Sequence, residues 1–354
     1  MRLIHTTTYR FREFNDRDAP PYAILSHTWG DEEVTFQDMA RGLLTRTSGG
    51  KKTAQTCRLA SEMGIEYAWV DTCCIDKSSS AELTETINSV FEYYARADIC
   101  FVYLADLATE TSFQHGIGDC RWIRRGWTLQ ELIAPKKINF YDQNWNFRDA
   151  KHERLGRELS AATEIPVGLL LMQVPISQYS IAQRLSWAAR RETTRLEDTA
   201  YCLLGLLEVN MPLIYGEREM AFQRLQEEVI NRTNDLTIFA WNPTPPDLKH
   251  EYCTIFASSP AAFHEFRNAK SFPIWGFNNA EFSLTNKGLR MENTLIRTSI
   301  VPAGGRDKCP YALLVGGLVE DGCVGRSFAS PSKKLGPAFM PASLETFFSL
   351  RSKT

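Results

Sequence analysis

Four apolar runs of strand length, separated by helix-like stretches, constrain this chain more than any other feature. YAILS (22–26) has the pattern of a buried strand running into small and polar residues. Thr53 to Met63 carries apolar positions at helical spacing, and Gly64 is placed to stop that helix. EYAWVD (66–71) reads as a second buried strand. Ser80 is expected to cap a helix from Ala81 to Ala97, with Leu83, Ile87, Val90, Phe91 and Tyr94 on one face. ICFVYL (99–104) is a third strand. A helical segment near Trp127 to Ile133 is halted by Pro135, and KINFY (137–141) is the fourth strand. This alternation predicts an α/β fold, a parallel sheet with helices on both faces. In such sheets ligands bind beyond the carboxyl ends of the strands, so the residues just after each run are the ones to examine.

The rest of the chain changes character. Residues 150–232 read as mostly helical, with helices near His152–Ala162, Ile181–Arg190, Leu196–Leu207 and Glu217–Arg232. From about 237 the runs become β-like: LTIFAW (236–241), YCTIFA (252–257), FSLTNKGLRMENTLI (282–296) and PYALLVGGL (310–318). NPTPPD (242–247) reads as a linker or surface loop. Gly325 to Pro341, rich in Ser, Pro, Lys and Gly, is expected to be poorly ordered. The domains expected are a lead-in at 1–19, a domain at 20–232 with its α/β core at about 20–145 and a helical part at about 150–232, and a β-rich region at 233–354.

Charge and cysteine usage exclude several classes. A net charge of −2 with scattered basic residues gives no field directed at nucleic acid or an anionic membrane. The amino-terminal sequence lacks the long apolar run of a secretory signal, and no stretch is apolar enough for a membrane span. Nine cysteines at irregular spacing, with no C-x-x-C pair, make neither a disulfide framework nor a zinc ribbon. Reduced thiols in the cytoplasm are the expectation. The six dispersed histidines support no metal site.

Four segments resemble the fungal heterokaryon-incompatibility (HET) domain, most closely its vegetative-incompatibility branch: PPYAILSHTWGDEEVTFQDM (20–39), WVDTCCIDKSSSAELTETINSVFEYYARADICFVYLAD (69–106), RGWTLQELIAP (125–135) and TTRLEDTAYCLLGLLEVNMPLIYGEREMAFQRLQEEV (193–229). FSLTNKGLRME (282–292) is similar to an extension that often follows this domain. HET domains are similar in fold to TIR domains, which implies a TIR-like, flavodoxin-like arrangement here. Several TIR domains hydrolyse NAD. In their pattern a Trp precedes a Glu-Leu pair on a helix before a late strand; here Trp127 precedes Glu131-Leu132 and the strand KINFY. The resemblance thus implies Glu131 as the catalytic glutamate, with NAD as substrate and no cofactor required.

The residue chemistry fits such a reaction. Breaking the N-glycosidic bond of NAD passes through a ribosyl oxocarbenium ion, which a nearby carboxylate stabilises. Nicotinamide leaves as a neutral molecule, so one Glu and a water suffice. The alternative for Glu131 is a surface glutamate, or one paired to Arg124, Arg125 or Lys136. After the first strand, Ser26 and Thr28 offer hydroxyls, Trp29 a stacking face, and Gly30 a tight turn or close approach to a nucleotide. Trp29 alternatively packs over the sheet end, and His27 is a structural or exposed histidine. Asp71, at the second strand's end, either binds ribose hydroxyls or caps the next turn. Arg121, Arg124 or Arg125 is placed to contact a pyrophosphate, or is structurally paired. Cys73 and Cys74 read as buried small residues rather than nucleophiles. Arg195, Glu197 and Asp198 are expected to tie the helical part to the sheet.

The function implied is a heterokaryon-incompatibility effector that drives cell death on non-self recognition, self-associating in the TIR manner. An allelic or NLR-type incompatibility protein is the expected partner. Two alternatives stand beside it: a non-enzymatic homotypic signalling module, and a HET-like protein acting in a secondary-metabolite pathway.

Overall fold

The computed structural model describes residues 1–44, 48–244 and 255–270, together with the strands Phe282–Thr285, Gly288–Met291, Leu295–Arg297, Tyr311–Glu320 and Cys323–Phe328. The chain divides into two compact units. One comprises Met1–Gln178 with Arg190–Gly216, the other Tyr179–Ala189 with Glu217–Thr354.

The first unit is built on a seven-stranded sheet: β1 (Arg2–His5), β2 (Phe11–Glu13), β3 (Tyr22–His27), β4 (Tyr67–Trp69), β5 (Ile99–Tyr103), β6 (Ile138–Tyr141) and β7 (Phe147–Ala150), in the order β2-β1-β4-β3-β5-β6-β7. The four strands expected from sequence are its parallel centre, β4-β3-β5-β6. The sheet as a whole is mixed rather than all-parallel. The β1–β2 hairpin joins β4 antiparallel, and β7 closes the other edge antiparallel to β6. β3 is buried along its whole length, as a strand covered on both faces must be. β2 and β7 are short and carry polar side chains, which suits the edges of a sheet.

The helices of this unit include α1 (Phe36–Ala40), α2 (Ser48–Glu62), α3 (Ser80–Arg96), α4 (Phe113–Gly116), α5 (Arg121–Arg124), α6 (Thr128–Ile133) and α7 (Glu153–Thr163). Gly64, at φ +75°, follows α2 in the left-handed region that glycine enters at no steric cost. Ser79, not Ser80, caps α3: its Oγ accepts from the Glu82 N–H at 3.3 Å. Ser79→Ala is expected to cost about 1 kcal/mol, measurable by urea unfolding.

Alternation along the strands sorts the two faces. Ala23, Ile99, Phe101 and Tyr141 pack with Ala60 of α2 on one face. The other face presents Ser26, Cys100 and Phe140 towards α3, α5 and α6. Trp69 meets Tyr93 and Tyr94 of α3 edge-on, with centroids 5.9 and 6.0 Å away. The helix expected at 196–207 is two short ones, Asp198–Tyr201 and Leu204–Leu207, and Glu208 at φ 58° ends the second.

In the second unit, Ile181–Ser186 opens with a capping box between Ser180 and Gln183, so the helix expected to 190 stops earlier. Met220–Ile230 follows, and the Gln226 side chain bonds both the N–H and the carbonyl of Ala257. LTIFAW is not a strand. Leu236–Phe239 is a 3-10 turn started by Asp235, whose carboxylate accepts from the Thr237 N–H at 2.9 Å. The expected β character does hold further on. Phe282–Thr285 pairs with Gly288–Met291, and Tyr311–Glu320 pairs with Leu295–Arg297, Cys323–Phe328 and Ala269–Lys270, all antiparallel. Residues 252–254 of YCTIFA, 245–247 of NPTPPD and 329–341 lie outside the described residues, and 255–257 forms no strand.

Candidate active site at the carboxyl rim of the sheet

β3 and β5 are neighbours, yet the chain leaves β3 towards β4 on one side and leaves β5 towards β6 on the other. This divergence is the topological switch point, where a parallel sheet opens a crevice beyond its strand ends. His27 and Tyr103 stand opposite each other there.

Beneath this rim lies a buried acid. Ser26 is fully buried at the end of β3, and its hydroxyl donates to the Glu131 carboxylate on α6. The Trp122 indole of α5 donates to the same Ser26 oxygen at 2.7 Å. Tyr94 of α3 contacts Glu131 as well and donates to the Leu25 carbonyl at 2.9 Å. The residue Glu131 retains some surface, but its carboxyl group is enclosed. Burial pushes its pKa up to about 8; the Ser26 hydroxyl opposes this, and the negative charge of Asp71 adds to it. Glu131 is therefore neither a surface glutamate nor an ion-pair partner of Arg124 or Lys136. Arg124 stands instead 3.8 Å from Asp119.

A second layer covers the rim. Trp29, 39% exposed, donates its indole N–H to Asp71 at 2.8 Å. Asp71 thus faces the loop after β3; the turn that follows it is closed by the Val70 carbonyl, which accepts from the Cys73 and Cys74 N–H groups, and Asp76 serves a later turn, accepting from the Ser78 N–H and hydroxyl. His27 is buried between two carboxylates, 3.6 Å from Glu33 and 3.9 Å from Asp71. Burial alone would raise the Glu33 pKa. The His27 ring, the Gly30 N–H and an ion pair to Lys52 bring it down to about 2.

The structure redistributes other expected roles. Gly30 has no left-handed φ, and a Cβ there would meet only Glu33 Oε1 at 3.7 Å, so no tight turn requires glycine. Its N–H donates to Glu33 at 2.7 Å. Thr28 is buried. Trp127 does not reach the acid: its indole bonds Asp198, which also accepts from Tyr215 at 3.0 Å. Trp122, which the sequence reading passed over, takes the place beside Ser26. Both tryptophans flank RWIRRGW, and only the fold tells which points inward. Arg125 acts on Glu131 through its charge, while its carbonyl accepts from the buried Arg191 at 2.8 Å. Cys57, Cys73, Cys74, Cys100, Cys120 and Cys202 are free and buried, and burial raises the Cys74 thiol far above its ordinary range. Among the described residues no cluster of His, Cys, Asp or Glu is arranged to hold a metal ion. No helix among them is long and apolar enough to cross a membrane.

Two surface recesses, of about 400 and 630 Å³, lie elsewhere, and neither is lined by Ser26, Asp71 or Glu131.

Residues 22–116, which carry Ser26, Trp29 and Asp71, match the family described as Heterokaryon incompatibility protein (HET). The chain carries a HET domain. Over 220 residues it is 43% identical to vegetative incompatibility protein HET-E-1 of Podospora anserina, a match covering 59% of this chain and 16% of that protein. The HET chain thus spans about a sixth of the length of the curated relative it matches. Residues 220–291 match a domain of unknown function, DUF8212. No solved structure matches.

Proposed function

We propose that this HET protein is an incompatibility effector whose chemistry is cleavage of the nicotinamide–ribose bond of NAD. The observation that carries this reading is the enclosed Glu131, bonded to Ser26 and sensing Asp71, at the switch point of a sheet. In the reaction the ribose C1′–nitrogen bond breaks, and its electron pair stays with nicotinamide, which leaves neutral. Water adds to C1′ and releases a proton. An ionised Glu131 stabilises the oxocarbenium charge between these events, and Asp71 bonds the ribose hydroxyls. The cationic pyridinium of the substrate itself favours the ionised form of Glu131.

Enclosure of the Glu131 carboxyl requires an opening step, which we assign to self-association or to an incompatibility partner. The same enclosure favours a second reading, in which the HET domain docks homotypically and Glu131 is structural. Purified chain incubated with NAD separates them. Nicotinamide release is expected, falling about 100-fold or more in Glu131→Gln. A folded Glu131→Gln variant that keeps full toxicity when expressed in a fungal host overturns the enzymatic reading.

A further inference from the structure

Lys77 returns at the end of the loop after β4 to stand over the loop after β3. Its ammonium lies 3.6 Å from the centroid of the Trp29 ring. The Trp29 indole is fixed from its edge by Asp71 at 2.8 Å, so the ring is a held platform with a cation parked on its face. Among the described residues no carboxylate forms an ion pair with Lys77, in contrast to Lys52, which is paired to Glu33. Lys77 is exposed to solvent; packing around its ammonium lowers its pKa, and the negative charges of Asp71 and Glu33 oppose this without pairing with it.

A cation–π contact at an exposed site is a weak hold, and a charge-assisted hydrogen bond to a phosphate is stronger. A lysine's flexible stem lets its charge move from one to the other. The position matters as well: Trp29 and Asp71 both lie just past parallel strand ends, where this type of sheet receives ligands. We propose that Lys77 is a phosphate ligand of this rim, leaving the Trp29 ring to bind the diphosphate of a nucleotide and thereby uncovering the indole face for the base to stack. This rests on the reading of the rim as a dinucleotide site, and it adds a residue and an exchange which that reading lacks.

The test is titration of the whole chain with ADP, adenosine and inorganic pyrophosphate by calorimetry. Wild type binds ADP more tightly than adenosine, and pyrophosphate measurably. Lys77→Ala weakens ADP about tenfold and leaves adenosine within about twofold, while Lys77→Arg retains most of the ADP affinity. Trp29→Ala weakens both ADP and adenosine. Thermal melting of each variant near that of wild type shows that the fold is kept. Equal ADP affinity in wild type and Lys77→Ala overturns the proposal, as does failure of wild type to bind any of the three at millimolar concentration. Nicotinamide release with an unchanged KM in Lys77→Ala sinks the lysine and spares the NAD reaction. Lys77-dependent ADP binding without any nicotinamide release does the reverse.

Discussion

Glu131→Gln is expected to melt at a higher temperature than the wild-type chain, by roughly 5 °C at neutral pH. The cause is the enclosed carboxyl, whose pKa is raised from 4.5 to about 8. An unfolded chain releases this proton near its ordinary pKa, whereas the folded chain holds it. Between those values the folded state binds more protons than the unfolded one. The stability it contributes is therefore fully present below about pH 4.5 and is lost as pH rises through about 8. Gln does not titrate, so the gap between variant and wild type opens across that window. At pH 7 the raised pKa caps the gain at about 3 kcal/mol, and about 2 is expected once the imperfect fit of an amide is allowed for. Melting curves at several pH values check this. A variant no more stable than wild type, or a wild type with flat stability over that range, rules out a strongly buried acid. The expected cost is activity: a group that destabilises the fold and is enclosed beneath the rim of the sheet has the profile of a functional residue.

Gly205→Ala is expected to cost about 3 kcal/mol. Gly205 lies in the short helix Leu204–Leu207, which packs against α3. A Cβ there would fall 2.2 Å from Phe91 Cβ, an atom too close to its own backbone to swing aside. The better helix propensity of Ala returns at most about 1 kcal/mol. Phe91→Gly in the same chain removes that Cβ and should recover much of the loss, so the two substitutions together cost clearly less than their sum. Urea unfolding of the two single variants and the double variant measures this, and strict additivity would refute the close approach.

Much of the sheet was legible because its centre is written in buried runs. YAILS and ICFVYL are apolar on both faces, and only a covered parallel strand needs that. Arg2–His5, Phe11–Glu13 and Phe147–Ala150 left no such trace: they are three or four residues long, sit towards the edges, and take their pattern from partners distant in sequence. LTIFAW failed for a different reason. A short apolar run does not separate strand from turn, and the Asp235 side chain decided for the turn. Among the site residues, Ser26, Trp29 and Asp71 were visible as residue types at strand ends, and Glu131 through the family resemblance, on a helix before the last parallel strand. Their pairings were not, because Ser26 meets Glu131 across 105 positions of sequence. Trp122 and Tyr94 looked like ordinary core aromatics, and their polar ends acquire meaning only where the indole N–H and phenol point.

The sheet order also sets the order of assembly. Ile4 registers with Ala68, and Ala23 with both Ala68 and Ile99. The amino-terminal hairpin therefore has no seat until β4 has been synthesised and laid beside β3, and the acid's enclosure waits longer still, for α5 and α6. Chain closure over such separations is slow relative to local helix formation. A nascent chain would pass through a stage with its central strands unroofed. Pauses in translation beyond residue 141 should favour correct docking, and chaperone dependence should be concentrated before that point.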